Sequence, residues 1–211
     1  MIRVLVTAFG AFPGAPSNPT IAIARELERR HGPRLARLSI ALQTRILPVR
    51  FADVGGALGE ALADVRPDVA LHLGLAGRRK KLCVETRALN RLGTLRPDAA
   101  RVFAASPLVA PGAPALQMAR WPAQRVRAAM DRSAATQLSI DAGDYVCNQT
   151  LFLTLSTNVR QAGFIHVPRP RRGDSRSRPH IARMVEATAA ALLVMTAAAR
   201  APRAQPGLDR R

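Results

Sequence analysis

The sequence predicts one compact α/β domain whose mostly parallel sheet is covered by helices on both faces. Three observations carry this. Apolar runs of strand length alternate with longer helical stretches, the pattern of a doubly covered parallel sheet. The run from Val69 to Gly74 is apolar apart from His72, as a strand buried on both faces is. The chain's 211 residues, 48% of them hydrophobic, suffice for one sizeable core, and no repeat or linker divides them. The domain is expected over residues 1–200, followed by a disordered tail over residues 201–211.

The first strand is expected from Arg3 to Phe9. A Gly- and Pro-rich loop follows and ends at Asn18-Pro19, a good N-cap followed by a good first helical residue. That helix is expected to run to about His31, with Glu26 and Arg30 one turn apart. Leu38 to Val49 reads as a strand or a hairpin arm, and Ala52 to Val65 as a helix weakened by Gly55, Gly56 and Gly59. After the buried strand, Leu82 to Leu89 fits another strand. Asn90 to Pro114 loses all periodicity and suggests a long loop near the active site. Then come a helix over Pro122 to Arg132, a strand over Gln137 to Ala142, a helix over Cys147 to Val159 and a strand over Phe164 to Val167. Arg169 to Arg178 reads as a mobile loop. The final helix, His180 to Ala199, places Ile181, Met184, Val185, Thr188 and Leu192 on one face.

Composition narrows the function classes. Aromatics are only 4%, so the core is built mainly from Ala, Val, Leu and Ile. The formal net charge is +18, nearly all of it Arg, since Lys80 and Lys81 are the only lysines. The arginines are scattered with no aromatic stripe among them, which argues for compositional bias over a nucleic-acid partner. Two cysteines are too few for a disulfide scaffold, and a free thiol favours a reducing, cytoplasmic compartment. The N-terminus runs into Gly10 and Pro13 and reads as a strand, not a signal peptide. The apolar run from Ala187 to Ala199 is shorter than the ~18–20 residues of a membrane span, so no membrane partner is expected. The histidines and cysteines show no metal-ligand spacing.

The chemistry concentrates in Asp141-Ala142-Gly143-Asp144-Tyr145-Val146-Cys147-Asn148, where a strand ends in a Gly turn and a cysteine opens the next helix. Free N–H groups and the helix dipole at such a position lower a thiol pKa and can receive an oxyanion. A small, buried, inert cysteine is the alternative. The helix carries the chain away and the strand from Gly163 returns it, which brings His166 to the same side of the sheet as Cys147. A base within reach is what a thiol nucleophile requires. Glu85 sits in a strand pattern where an acid is unexpected, and an inward carboxylate there can orient an imidazole. An exposed or Arg87-paired Glu85 fits the spacing equally well. The run Gly77-Arg78-Arg79-Lys80-Lys81 lacks phosphate-loop spacing and reads as a solvated turn.

Several segments resemble pyroglutamyl peptidase I, the pyrrolidone-carboxylate peptidase family, in the family's order. They are Thr7 to Gly14, Asn18-Pro19-Thr20, Leu47 to Phe51, Gly74-Leu75-Ala76-Gly77, Glu85 to Asn90, Gly143 to Asn148 and Ala162 to Pro168. The resemblance implies a three-layer α/β/α sandwich with a mixed, mostly parallel twisted sheet. It implies removal of an N-terminal pyroglutamyl residue from peptides through a Cys-His-Glu triad that falls on Cys147, His166 and Glu85. It also implies substrate contacts at Phe9, Phe12, Leu75 and Val146, although Phe9 and Phe12 equally fit as core aromatics. No metal or cofactor is implied, and dimers or tetramers are common in the family. Leu75 stands where the family has Gln, Thr86 replaces an Arg and Gln149 replaces a His, which suggests an altered ring pocket. The family's oxyanion Arg has two neighbours here, Arg91 and Arg96, neither cleanly aligned. The alternatives to a pyroglutamyl peptidase are a related cysteine amidohydrolase for another small lactam or amide, and a silent basic binding protein.

Overall fold

The computed structural model describes residues 1–171 and 178–202. The expected mobile loop and the expected tail fall, for residues 172–177 and 203–211, outside the described residues.

β1 (Ile2–Phe9) is followed by α1 (Pro19–Arg37), β2 (Ile40–Leu47), α2 (Val54–Val65) and β3 (Val69–Leu75). β4 (Leu82–Glu85), β5 (Arg87–Leu89) and β6 (Leu116–Met118) are short. α3 (Ala123–Asp131), β7 (Thr136–Ser139), α4 (Val146–Leu155), β8 (Gln161–Val167) and α5 (Ile181–Arg200) complete the order. The main sheet has six strands in the order β2-β1-β3-β8-β4-β7. β2, β1, β3 and β8 pair in parallel. β4 runs antiparallel to β8 and parallel to β7, so the sheet is mixed.

Helices cover both faces. α1, α3 and α5 bury Ile23, Leu27, Val126, Met130, Met184 and Leu192 in one cluster with the inward side chains of the sheet. α2 and α4 bury Val54, Leu58, Leu151 and Phe152 in a second cluster with Phe9 and Phe164. Each such side chain contributes about 1.5–3 kcal/mol when fully buried, so two covered faces fix the strand order that positions the site.

Several expectations change. Leu38 to Val49 is not a hairpin arm. β2 pairs with β1 in parallel along its whole length, because α1 carries the chain back to the start of the sheet. The expected strand over Leu82 to Leu89 breaks at Thr86: β4 stays in the main sheet, while β5 leaves it to pair with β6. α1 does not stop at His31. It passes Gly32 and Pro33 and ends at Arg37, with Leu35 buried and Arg34 and Arg37 at its negative end. α4 stops at Leu155, where the Arg120 guanidinium donates to the carbonyls of Thr154, Leu155, Thr157 and Val159. α5 is longer than its apolar run, and by length and composition it is apolar enough to cross a bilayer. Half of that apolar window is buried inside the fold, including Met184, Thr188, Leu192 and Met195.

Candidate active site

A cavity of about 660 Å³ opens where β1, β3, β8 and α4 end or begin. Cys147, His166, Phe9, Phe12, Leu75 and Val146 all line it. Glu85 lies behind His166 and is fully buried.

The turn before α4 depends on Gly143, whose φ of +83° is one that residues with a Cβ rarely adopt. α4 then begins at Val146, so Cys147 sits in its first turn. That turn contains no acid, and Tyr145 at the cap makes no side-chain capping bond. The first helical N–H groups therefore remain available beside the thiol. The sulfur packs against Gly74 of β3: a Cβ added there would fall 2.8 Å from Cys147 Sγ and 2.6 Å from Phe164 Cζ. Gly74 is the register partner of His166 on β8. Neighbouring strands lie about 4.8 Å apart, so a glycine in β3 lets the thiol and the imidazole share one end of the sheet. Among the described residues no hydrogen bond joins them.

His166 is 6% exposed, and its Nδ1 lies 2.8 Å from Glu85 Oε1. The carboxylate oxygen can only accept, so Nδ1 carries a proton, and in the neutral tautomer this fixes, Nε2 is the nitrogen with the free lone pair. The antiparallel pairing of β4 with β8 makes this contact, since Glu85 faces Phe164 and Cys83 faces His166 in register. The same Oε1 accepts from Arg79 Nη1 at 2.8 Å, and Arg79 Nη2 donates to the Asp141 carbonyl at 2.8 Å. Arg87 donates instead to the Ile140 carbonyl, so it is not the partner of Glu85. Arg79 corrects the reading of residues 77–81 as a solvated turn. The available signal was Glu85 itself, since a carboxylate in a buried strand requires a nearby cation or several donors.

Burial pushes the Cys147 thiol up to about 12. Arg96 and the residue's own backbone N–H pull it down, and Glu85 pushes it up. The sequence led us to expect a lowered value from the helix N-terminus. The sulfur packs against Gly74 and the Phe164 ring on one side, and desolvation there outweighs the helix end even though the residue as a whole is only half-buried and borders the cavity. Of Arg91 and Arg96, it is Arg96 that reaches the cavity. Its guanidinium lies 4.0 Å from the Tyr145 ring centroid and it lines the cavity. Arg91 faces Asp141 at 3.7 Å. Phe9 is 2% exposed within the core and also borders the cavity, 6.2 Å from Phe164 between ring centroids.

The family model described as pyroglutamyl peptidase matches residues 2–198. The chain belongs to the pyroglutamyl peptidase family. It is therefore a peptidase of the cysteine type. A pyrrolidone-carboxylate peptidase from Pyrococcus furiosus is 31% identical over 173 residues, covering 79% of this chain and 81% of the relative. One from Chromobacterium violaceum is 35% identical over 170 residues, covering 80% and 78%. A crystal structure of the P. furiosus pyrrolidone carboxyl peptidase superposes with a TM-score of 0.82 at 27% identity, covering 93% of this chain and 99% of that one. In this member of the pyroglutamyl peptidase family, Gln149 is buried. Its Nε2 donates to the Phe51 carbonyl at 3.1 Å, while Oε1 has no partner among the described residues. Gln149 does not border the cavity, whereas Leu75 does.

Proposed function

We propose that this protein hydrolyses the amide bond after an N-terminal pyroglutamyl residue of a peptide, through a thioester on Cys147. The observation that carries this is the Glu85–His166 hydrogen bond, which makes Nε2 the acceptor of the neutral imidazole, beside the strand partner against which the thiol packs.

Desolvation favours the thiol over the thiolate, which couples attack to deprotonation. His166 Nε2 takes the Sγ proton as sulfur bonds to the pyroglutamyl carbonyl carbon, and the carbonyl oxygen becomes an oxyanion. The free N–H groups of the α4 first turn and the Arg96 guanidinium are the donors placed to receive it. As the C–N bond breaks, imidazolium Nε2–H protonates the leaving amine, and the thioester remains. Water then attacks the thioester. Nε2 takes its proton and returns it to the departing sulfur, releasing pyroglutamate. Glu85 stabilises the imidazolium throughout, and Arg79 holds Glu85 in place.

Phe9, Phe12 and Val146 form the apolar wall for the lactam ring. Leu75 puts an apolar side chain where the family resemblance leads one to expect Gln, and this favours a second reading, hydrolysis of another small lactam or amide by the same nucleophile. A free-thiol mechanism suits a reducing compartment. Turnover of a pyroglutamyl fluorogenic amide that disappears in Cys147→Ala and in His166→Ala supports the first reading. Cys147 that alkylates readily at neutral pH without such turnover selects the second. A Cys147 no more reactive than Cys83 would falsify both.

A further inference from the structure

The backbone that follows β5 is tied to the start of α4. Asn148, fully buried beside Cys147, accepts from the Leu89 N–H at 2.9 Å and donates to the carbonyls of Leu89 and Arg91 at 2.8 and 2.9 Å. The Gly93 N–H donates to the Asp144 carbonyl at 2.7 Å, and a Cβ on Gly93 would fall 2.5 Å from Asp144 Oδ2. The buried Asp98 carboxylate accepts from the N–H groups of Phe51, Ala100 and Val102. The backbone from Leu89 to Asp98 is therefore held at both ends and once between.

Arg96 leaves this fixed backbone as an exposed side chain. Among the described residues no hydrogen bond or ion pair holds its guanidinium. A long exposed arginine has many rotamers, and ordering it costs entropy that a contact must offset. The contact is the face of Tyr145, whose ring centroid lies 4.0 Å from the guanidinium carbon. That ring is itself fixed. Its hydroxyl donates to the Pro97 carbonyl at 3.0 Å, and the Phe51 ring meets it nearly perpendicular, 5.1 Å away between centroids. Tyr145 is also the cap residue of α4, two residues before the nucleophile, and Tyr145, Arg96 and Cys147 all border the same cavity.

We propose that Tyr145 is a positioning residue for the hydrolysis: its ring face holds the Arg96 guanidinium over the cavity, where it meets the oxyanion formed when Cys147 attacks. The inference rests on the peptidase reading above. Arg96 touches the reacting oxygen, and Tyr145 acts through Arg96. The turn that presents the sulfur thus also presents the platform for the cation, so the two keep one relative placement.

Turnover of a pyroglutamyl fluorogenic amide by the wild type, Tyr145→Leu, Tyr145→Phe, Arg96→Met and the Tyr145→Leu/Arg96→Met double variant tests this. Arg96→Met is expected to lower kcat about tenfold, less than loss of an enclosed oxyanion donor because Arg96 is exposed. Tyr145→Leu should lower kcat about three- to fivefold with little change in KM, the size of one exposed cation–π contact. In the Arg96→Met background the same substitution should cost nothing further. Tyr145→Phe keeps the ring face and should retain most of kcat. A second measurement does not depend on how the variants fold. Tyr145 is the only tyrosine in the chain, so with ring-labelled tyrosine every ring NOE comes from this site. An NOE to the side chain of one arginine, absent in Arg96→Met, is expected. Its absence from the folded wild type overturns the assignment. So does a Tyr145→Leu loss of equal size in both backgrounds, which would make the ring a wall for the substrate, or wild-type kcat in Arg96→Met. These outcomes leave the peptidase reading intact. No wild-type turnover of the pyroglutamyl amide overturns both.

Discussion

Cys147 is a thiol that depends on its base. With burial holding it near 12, only a small fraction ionises unaided at neutral pH, and that fraction grows as pH rises toward 12. Replacing His166 by Ala should therefore slow alkylation of Cys147 by iodoacetamide at pH 7 by about 10²-fold or more, the usual contribution of a positioned base. In that variant the rate should climb tenfold per pH unit well into the alkaline range. A variant that alkylates at the wild-type rate at pH 7 would show that the helix N-terminus alone activates the sulfur. Leu75 sets a second test. It is half-buried at the end of β3 and lines the cavity. A side-chain amide there would supply a polar reader for the lactam, so Leu75→Gln is expected to raise kcat/KM for a pyroglutamyl amide about tenfold relative to its cyclopentane-carbonyl analogue, which lacks the lactam. An unchanged ratio would mean that other groups read the ring. At this scale much was legible. Cys147, His166 and Glu85 stood out because a thiol, an imidazole and a carboxylate each sat in local patterns that did not explain them. Arg79 was not legible, because nothing local distinguishes the one arginine that turns inward from its neighbours Arg78, Lys80 and Lys81.

Single positions inside the elements decide how closely the site assembles. Gly74 is the register partner of His166, and its missing side chain is the space that the sulfur and the Phe164 ring occupy. Gly74→Ala would place a Cβ 2.6 Å from Phe164 Cζ and 2.8 Å from Cys147 Sγ, and the ring has the buried core behind it. We expect a loss of about 1–3 kcal/mol in stability from overpacking, read from a urea transition. We also expect a fall in kcat larger than the change in KM, because the thiol is displaced from its base. Wild-type kcat in a folded Gly74→Ala protein would rule out the close approach as a requirement. The elements themselves were largely legible, as β1, β3, α2, α3 and α5 lie close to their expected positions. Their boundaries followed forces that local sequence does not carry. Thr86 reads as mid-strand, yet Ser139 on β7 takes both its N–H and its hydroxyl through one carbonyl, and the chain turns out of the sheet there. α1 passes a Gly-Pro pair because Leu35 has a place in the core.

The whole molecule carries its positive charge around a neutral, buried histidine. His72 on β3 links the central sheet to the helix that carries the nucleophile: Nδ1 lies 2.8 Å from Thr7 Oγ1 on β1 and Nε2 lies 2.9 Å from Thr154 Oγ1 on α4. Thr154 donates its own proton to the Thr150 carbonyl, so it accepts from Nε2–H, and Nδ1 accepts from Thr7. Burial lowers the His72 pKa to about 3, against an ordinary value near 6.5. Between those values the unfolded chain binds a proton at this position that the folded chain does not. Stability therefore rises with pH through this window, and it is lost as pH falls from about 6.5 toward 3. The loss from this one group is on the order of a few kcal/mol at the acid end. Net charge acts in the same direction. The chain already carries +18 at neutral pH, and protonating its carboxylates adds to the self-repulsion of the compact state. A series of urea midpoints from pH 7 to pH 4 separates the two contributions. His72→Gln keeps a donor and an acceptor between Thr7 and Thr154 but cannot titrate, so its midpoint should start lower at pH 7 and then fall less steeply than that of the wild type. Parallel slopes for the two proteins would assign the acid sensitivity to overall charge alone. A convergence of the curves toward low pH would locate it in the link between β3 and α4, where protonation also disturbs the helix that presents Cys147.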